Sequence, residues 1–110
     1  MSNDVMVTAI SSVATPSGSR YLQQLCKHWA HSLTVEFTPA HGTVVFPKDA
    51  RGADHPGDAL VTLIADQDAL AVRIDATSEA QLEGLKGAVA RHLDLFAFRE
   101  APLPFDWRGA

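Results

Sequence analysis

The chain has a single cysteine, Cys26, so no internal disulfide can form. That fits a reducing compartment, and the expected location is the cytoplasm. Long apolar runs are also missing. Stretches such as Ala69 to Val72, closed by Arg73, are far too short to span a bilayer. Met1 to Ser12 holds neither a basic region nor an adequate apolar region, so no secretory signal is expected. Basic residues are scarce. Nine Lys and Arg stand against 13 Asp and Glu, a net charge of −4, which argues against general phosphate-backbone binding. Neither nucleic acid nor membrane is therefore an expected partner. The sequence also carries no G-x-S-x-G, H-E-x-x-H, Walker loop or G-x-G-x-x-G.

What the chain does have is enough apolar residues for a core. With 46% of 110 residues hydrophobic, it needs no disulfide or structural metal, and it fits a single domain over 1–110. Val5, Val7 and Ala9 alternate with Met6, Thr8 and Ile10 as a first strand. Thr15-Pro16 then opens a helix: the hydroxyl can cap it, and proline suits the first helical position. Leu22, Leu25, Cys26, Trp29 and Leu33 fall on one apolar stripe, opposite Arg20, Gln24, Lys27 and His31. Tyr21 and His28 lie on the shoulder between the two.

Leu33, Val35 and Phe37 alternate as a second strand, and Pro39 to Gly42 turns the chain into its hairpin partner at Thr43 to Phe46. Residues 48–58, with Gly52, Pro56 and Gly57, read as an exposed loop and the expected place for mobility. Leu60 to Ile64 and Leu70 to Ile74 are two more strands around Asp66 to Asp68. Leu70, Val72 and Ile74 point one way, and Ala71, Arg73 and Asp75 the other. Ser78 with Gln81 matches a capping box for a second helix, whose inner stripe is Leu82, Leu85, Val89, His92, Leu93 and Phe96. Gly84 and Gly87 within it suggest close packing against another backbone. Leu103, Phe105 and Trp107 alternate as an edge strand or extended tail, with 108–110 expected to be flexible. The expected fold class is α+β, a two-layer sandwich of order β-α-β-β-β-β-α-β. A mainly antiparallel sheet carries both helices on one face.

The best candidate site is the polar rim of the first helix. His28 and His31, three residues apart on a helix, are neighbours that one metal ion could touch. Cys26 lies about 160° round the helix from His28 and joins the core as a small hydrophobe. One cysteine and two histidines fall short of the four ligands of a structural zinc site. His92 is read as a partly buried histidine satisfying a carbonyl or carboxylate, and also as a residue that can face the first helix and cluster with His28. His41 and His55 read as solvated turn and loop residues.

Ser19-Arg20-Tyr21-Leu22-Gln23-Gln24-Leu25-Cys26-Lys27-His28-Trp29-Ala30-His31 and Arg91-His92-Leu93-Asp94-Leu95-Phe96-Ala97-Phe98-Arg99-Glu100 resemble a small bacterial family known only as domain-of-unknown-function family 2218. The resemblance covers nearly the whole chain. It implies an association with siderophore-interacting proteins and iron uptake, and no catalytic residues come with it. The expected ligand- or partner-binding residues are Arg20, Tyr21, Gln24, His28, His31 and His92. On this reading the chain is a non-catalytic accessory in iron or siderophore metabolism. It would bind an iron chelate, haem or a siderophore-interacting reductase-type partner. A second reading is a structural module that homodimerises through an outer sheet face formed by Val61, Leu63 and their neighbours. A third is an enzyme with His28 or His92 as general base.

Overall fold

A computed structural model describes residues 6–109. Val5, read as the start of the first strand, and Ala110 lie outside the described residues. The elements follow the expected order, except that the last strand lies at 108–109 and Leu103 to Trp107 run extended without pairing as a strand: β1 Val7–Ala14, α1 Gly18–Trp29, β2 Thr34–Phe37, β3 His41–Phe46, β4 Ala59–Ala65, β5 Ala69–Ala76, α2 Glu79–Phe96 and β6 Arg108–Gly109. A single 3₁₀ turn, Ala50–Gly52, interrupts the connection between β3 and β4. The six strands form one sheet in the order β2-β3-β4-β5-β1-β6, and every pairing is antiparallel. Strands β2 to β5 are a meander, and α1 carries the chain from β1 to the meander's far edge.

The period-two pattern of each strand decides which face the helices cover. Ala9, Ser11 and Val13 on β1, Val61 and Leu63 on β4, and Leu70, Val72 and Ile74 on β5 are all buried. They meet Leu22, Leu25, Cys26 and Trp29 of α1, and Leu82, Leu85, Val89 and Leu93 of α2. Fully burying one such Leu, Val or Ile contributes about 1.5–3 kcal/mol, so this interface dominates the stability. Val61 and Leu63 therefore do not form an outer face. Both are fully buried against the helices, and it is Leu60, Thr62 and Ile64 that point outward, with Ile64 51% exposed. Outward on β5, Arg73 pairs with Asp75 at 3.0 Å, and Thr8 of β1 donates to the same carboxylate at 2.7 Å. Burial pushes the Asp75 carboxyl up, but these two hydrogen bonds and the Arg73 charge outweigh it and hold the group below the usual value.

The helix starts differ in kind. Ser78 caps α2 as expected, its Oγ accepting from the Gln81 N–H at 3.0 Å, while Gln81 Oε1 accepts from the Thr77 N–H at 2.7 Å. In α1 the capping position is Ser17, whose side chain makes no capping bond. Thr15 does not cap the helix directly. Its hydroxyl accepts from the Ser17 N–H and donates to the Glu100 carboxylate at 2.9 Å. The segment after α2 then runs back over the sheet edge. Leu103 is buried, Phe105 stacks on Trp107, and the Asp106 N–H donates to Ser11 Oγ. The expectation of a flexible 108–110 tail is corrected for its first two residues. Arg108 and Gly109 pair with Ile10 and Ala9, because β1 otherwise leaves an open edge there. No helix among the described residues is long and apolar enough to cross a membrane.

Candidate functional site

A cleft of about 640 Å³ opens between the end of α1, one face of α2 and the loop joining β3 to β4. Each wall follows from local sequence. The apolar stripe of α1 buries Trp29 against the sheet and leaves His28, one residue earlier, exposed on the flank. Leu85 and Val89 seat α2 on the sheet, which swings Ala88, Arg91 and His92 toward α1. The His28 and His92 rings lie 5.3 Å apart. The Trp29 indole is 5.1 Å from His92 and meets Phe46 edge to face at 4.9 Å. Leu33 and Leu85 complete an apolar floor.

The third wall is the loop 48–58. It is not simply an exposed connection. Gln81, buried at 4% exposure, donates from Nε2 to the Gly57 carbonyl at 3.0 Å, and Thr77 Oγ1 accepts from the Gly57 N–H at 3.2 Å. At its base, Asp58 accepts from the Lys48 N–H and the Lys48 carbonyl accepts from the His55 N–H. These bonds hold His55 half-buried in the cleft wall, with Nδ1 3.4 Å from Ser78 Oγ. The reading of His55 as a solvated loop residue is corrected accordingly. His41 does open β3 as an exposed residue.

The hydrogen bonding of His92 fixes its chemistry. Nδ1 lies 2.7 Å from the Ala88 carbonyl oxygen, which can only accept. The proton of the neutral imidazole therefore sits on Nδ1, assigned from its partner, and Nε2 presents a lone pair. Nε2 has no partner among the described residues and is not sealed from solvent. Formal charge in the lining is balanced. Arg91 stands against one carboxylate, Asp49, with three histidines beside them, on a chain whose net charge is −4 with histidine neutral.

Of the six residues expected to bind, the cleft collects His28 and His92. Arg20 and Gln24 are exposed further back along α1 and do not line it. Tyr21 is buried, its hydroxyl donated to the Glu100 carboxylate, and that bond raises its pKa above the ordinary value, helped by burial and the Glu100 charge. His31 is exposed beyond the end of α1, which stops at Trp29, so no continuous helix presents it beside His28. Among the described residues no three His, Cys, Asp or Glu side chains gather as a metal-binding group. Cys26 is fully buried, and burial pushes its thiol up to about 11.

The residues that sequence reasoning missed are His55, Arg91, Phe46 and Gln81. Gln81 carried a signal, since its capping-box position put its amide at the start of α2. The other three depend on which elements the fold brings together. The two α2 glycines also find another use. A Cβ on Gly84 would meet nothing within 4 Å, because it faces the cleft, and one on Gly87 would meet only the Arg91 guanidinium.

Three comparisons bear on what this arrangement belongs to. The chain is similar over 94% of its length, at 31% identity, to an NMR structure of PA4090 from Pseudomonas aeruginosa. The match covers 96% of that chain with a TM-score of 0.72, so the two share the fold. Comparison with curated proteins gives no match. A family model described as "Uncharacterized protein conserved in bacteria (DUF2218)" matches residues 10–108, and the chain belongs to that family.

Proposed function

We propose that this protein is a non-catalytic binding protein whose cleft takes one small, flat, anionic ligand. The observation that carries the reading is the cleft's composition. Arg91, His28, His55 and His92 line a space of about 640 Å³ together with Trp29, Phe46, Leu33 and Leu85, and the His28 and His92 rings come within 5.3 Å of each other. Pockets of a few hundred Å³ with an apolar body and a few placed polar groups are what small-molecule sites need. Aromatic walls suit a planar ligand, and the Arg91 guanidinium with the three imidazoles supplies hydrogen-bond donors for a negative group on it.

An iron chelate or haem, the ligand expected from the siderophore association, is the first candidate. A metal that arrives with its own ligands asks the protein only for shape, charge and hydrogen bonds. That is what the cleft offers. A siderophore-interacting reductase-type protein is the corresponding partner, to which such a ligand would be passed or from which it would be received.

The test is titration of the protein with a ferric chelate and with haemin, followed by absorbance and tryptophan fluorescence. Trp29 in the floor makes the cleft its own reporter. Gly84→Leu is the control, since its side chain projects into open cleft space and improves helix propensity. The expected result is saturable binding in wild type that Gly84→Leu weakens at least tenfold. No response from wild type at high micromolar ligand, or equal binding by Gly84→Leu, overturns the reading.

The homodimer reading keeps one supporting observation, relocated to the true outer face. Ile64 is 51% exposed there, on the same face as the half-buried Leu60, Val45 and Ile10. Light scattering tests it: a dimer that Ile64→Lys dissociates supports this reading, and a strict monomer at high concentration ends it.

A further inference from the structure

We propose that the loop tip 49–54 is a lid over this cleft, latched by an ion pair that Asp49 forms with Arg91 across the cleft mouth. The inference adds a gate to the binding site proposed above, and it rests on that reading for its purpose.

Hydrogen bonding divides the loop into a fixed base and a free tip. At the base, the Lys48 N–H donates to the Asp58 carboxylate at 2.8 Å and the His55 N–H to the Lys48 carbonyl at 3.0 Å. Gly57 is tied to Gln81 and Thr77. Within the tip, the Ala50, Gly52 and Ala53 N–H groups donate to the carbonyls of Pro47, Asp49 and Ala50, each at 3.1 Å. Among the described groups, no backbone hydrogen bond runs from 49–54 to either helix. A turn bonded to itself and joined to the body only through its base moves as a unit at low cost.

Charge supplies the closing force. With histidine neutral, Asp49 and Arg91 are the only charged groups among the described lining residues, one on the tip and the other on α2. Both are exposed, and neither belongs to the ion pairs of the described residues, Arg73–Asp75, Lys86–Glu83 and Arg108–Asp106. Asp49 starts the 3₁₀ turn without capping it. Lys86, the other cation of α2, is already taken by Glu83 at 2.8 Å. The Arg91 guanidinium also leans the right way. A Cβ on Gly87 would sit 2.9 Å from its Nη1, so the side chain lies back along α2, toward the end to which Gly57 is tied. Closing the tip carries the Asp49 carboxylate toward it. An anionic ligand that reaches Arg91 takes the guanidinium from Asp49, so the ligand itself opens the lid.

The test puts nitroxide labels on Asp54→Cys and Leu95→Cys, two exposed positions outside the cleft lining, while the buried Cys26 stays unlabelled. Pulsed electron spin resonance reads the label separation in ligand-free protein. The expected result at roughly 10 mM salt is a short and a long separation. At roughly 1 M salt the ratio of short to long should fall about 1.5- to fivefold, the range of an exposed ion pair. Asp49→Lys and Arg91→Glu should each deplete the short population by at least as much, and the double reversal should restore it. A single separation, unchanged by salt and by both reversals, overturns the lid. A short population that survives both single reversals, or that the double reversal does not restore, overturns Asp49–Arg91 as the latch. No ligand is present, so a failed haemin titration overturns the binding reading alone and leaves the latch to this measurement.

Discussion

The Sγ of Cys26 occupies the space beside Gly42 so closely that a Cβ on the glycine would sit 2.8 Å from it. Leu22 Cδ2 closes the same gap at 3.4 Å. Helix α1 therefore touches the sheet at a place where β3 has no side chain, and the cysteine fills it. Neither residue is reactive or conformationally special in this role. Each is there because the other is small.

Gly42→Ala should consequently destabilise the fold by about 1–3 kcal/mol, the usual cost of overpacking a fitted core. Cys26→Ala, which removes the Sγ, should cost about 1 kcal/mol alone and relieve most of the penalty in the double variant. Urea unfolding of the four proteins measures the coupling. Additive single-variant costs would show that the contact is not the source of the strain.

Alkaline pH should weaken the protein through the same cysteine. Its pKa is raised by burial from 9.0 to about 11, so the folded state holds the thiol proton that the unfolded state releases. That contribution is fully present below pH 9 and is lost as pH rises toward 11, at up to about 1.4 kcal/mol per pH unit. Cys26→Ala should flatten this part of the stability profile. At neutral pH, native Cys26 should react with a disulfide reagent at least about a hundredfold more slowly than in urea.

Tyr21 and Thr15 both donate to Glu100, tying α1 and the end of β1 to the turn that follows α2. Tyr21→Phe keeps the packing and removes the hydroxyl, and it should cost about 1–2 kcal/mol. Glu100→Gln should cost a comparable amount, and the double variant should cost less than the sum. Thermal unfolding with hydrogen exchange over residues 97–103 reads both effects. Strict additivity would dissolve the three-residue cluster into independent surface contacts.

Ser78→Ala should lower stability by about 1 kcal/mol through loss of the α2 cap, seen as a drop of roughly 4–8 °C in Tm. Gln81→Leu should do something different. It removes the amide donor from the Gly57 carbonyl, which keeps only the Thr77 hydroxyl at 3.1 Å, and frees the Thr77 N–H, and so loosens the wall that carries His55. Faster proteolysis within 48–58 in Gln81→Leu, but not in Ser78→Ala, is the expected pattern.

The fold was largely legible before any coordinates. Hydrophobic alternation in Leu70 to Ile74, the stripe of Leu22, Leu25, Cys26 and Trp29, and the Ser78–Gln81 box are local signals of period two, period 3.6 and a helix start. Local physics suffices for these. The facing of β4 was harder, because Leu60 and Ile64 are as apolar as Val61 and Leu63, and pattern alone does not choose between two greasy faces. Register against Val72 and Ile74 of β5 made the choice. The site was legible only by halves: the sequence pointed to His28 and His92 but spread the remaining weight along α1 to Arg20, Tyr21, Gln24 and His31.

Composition and periodicity by themselves determined an α+β chain with its elements in order, a core cysteine and no familiar catalytic motif. Those properties depend on residues a few positions apart. Tertiary structure decided the rest. It ended α1 at Trp29, turned Tyr21 inward to Glu100, and brought His55 and Arg91 to the same cleft as His28 and His92. It also set the proton on His92 Nδ1. Such outcomes depend on how helices pack against a twisted sheet and where a long loop is pinned. Contacts between residues far apart in sequence leave no periodic trace in the chain.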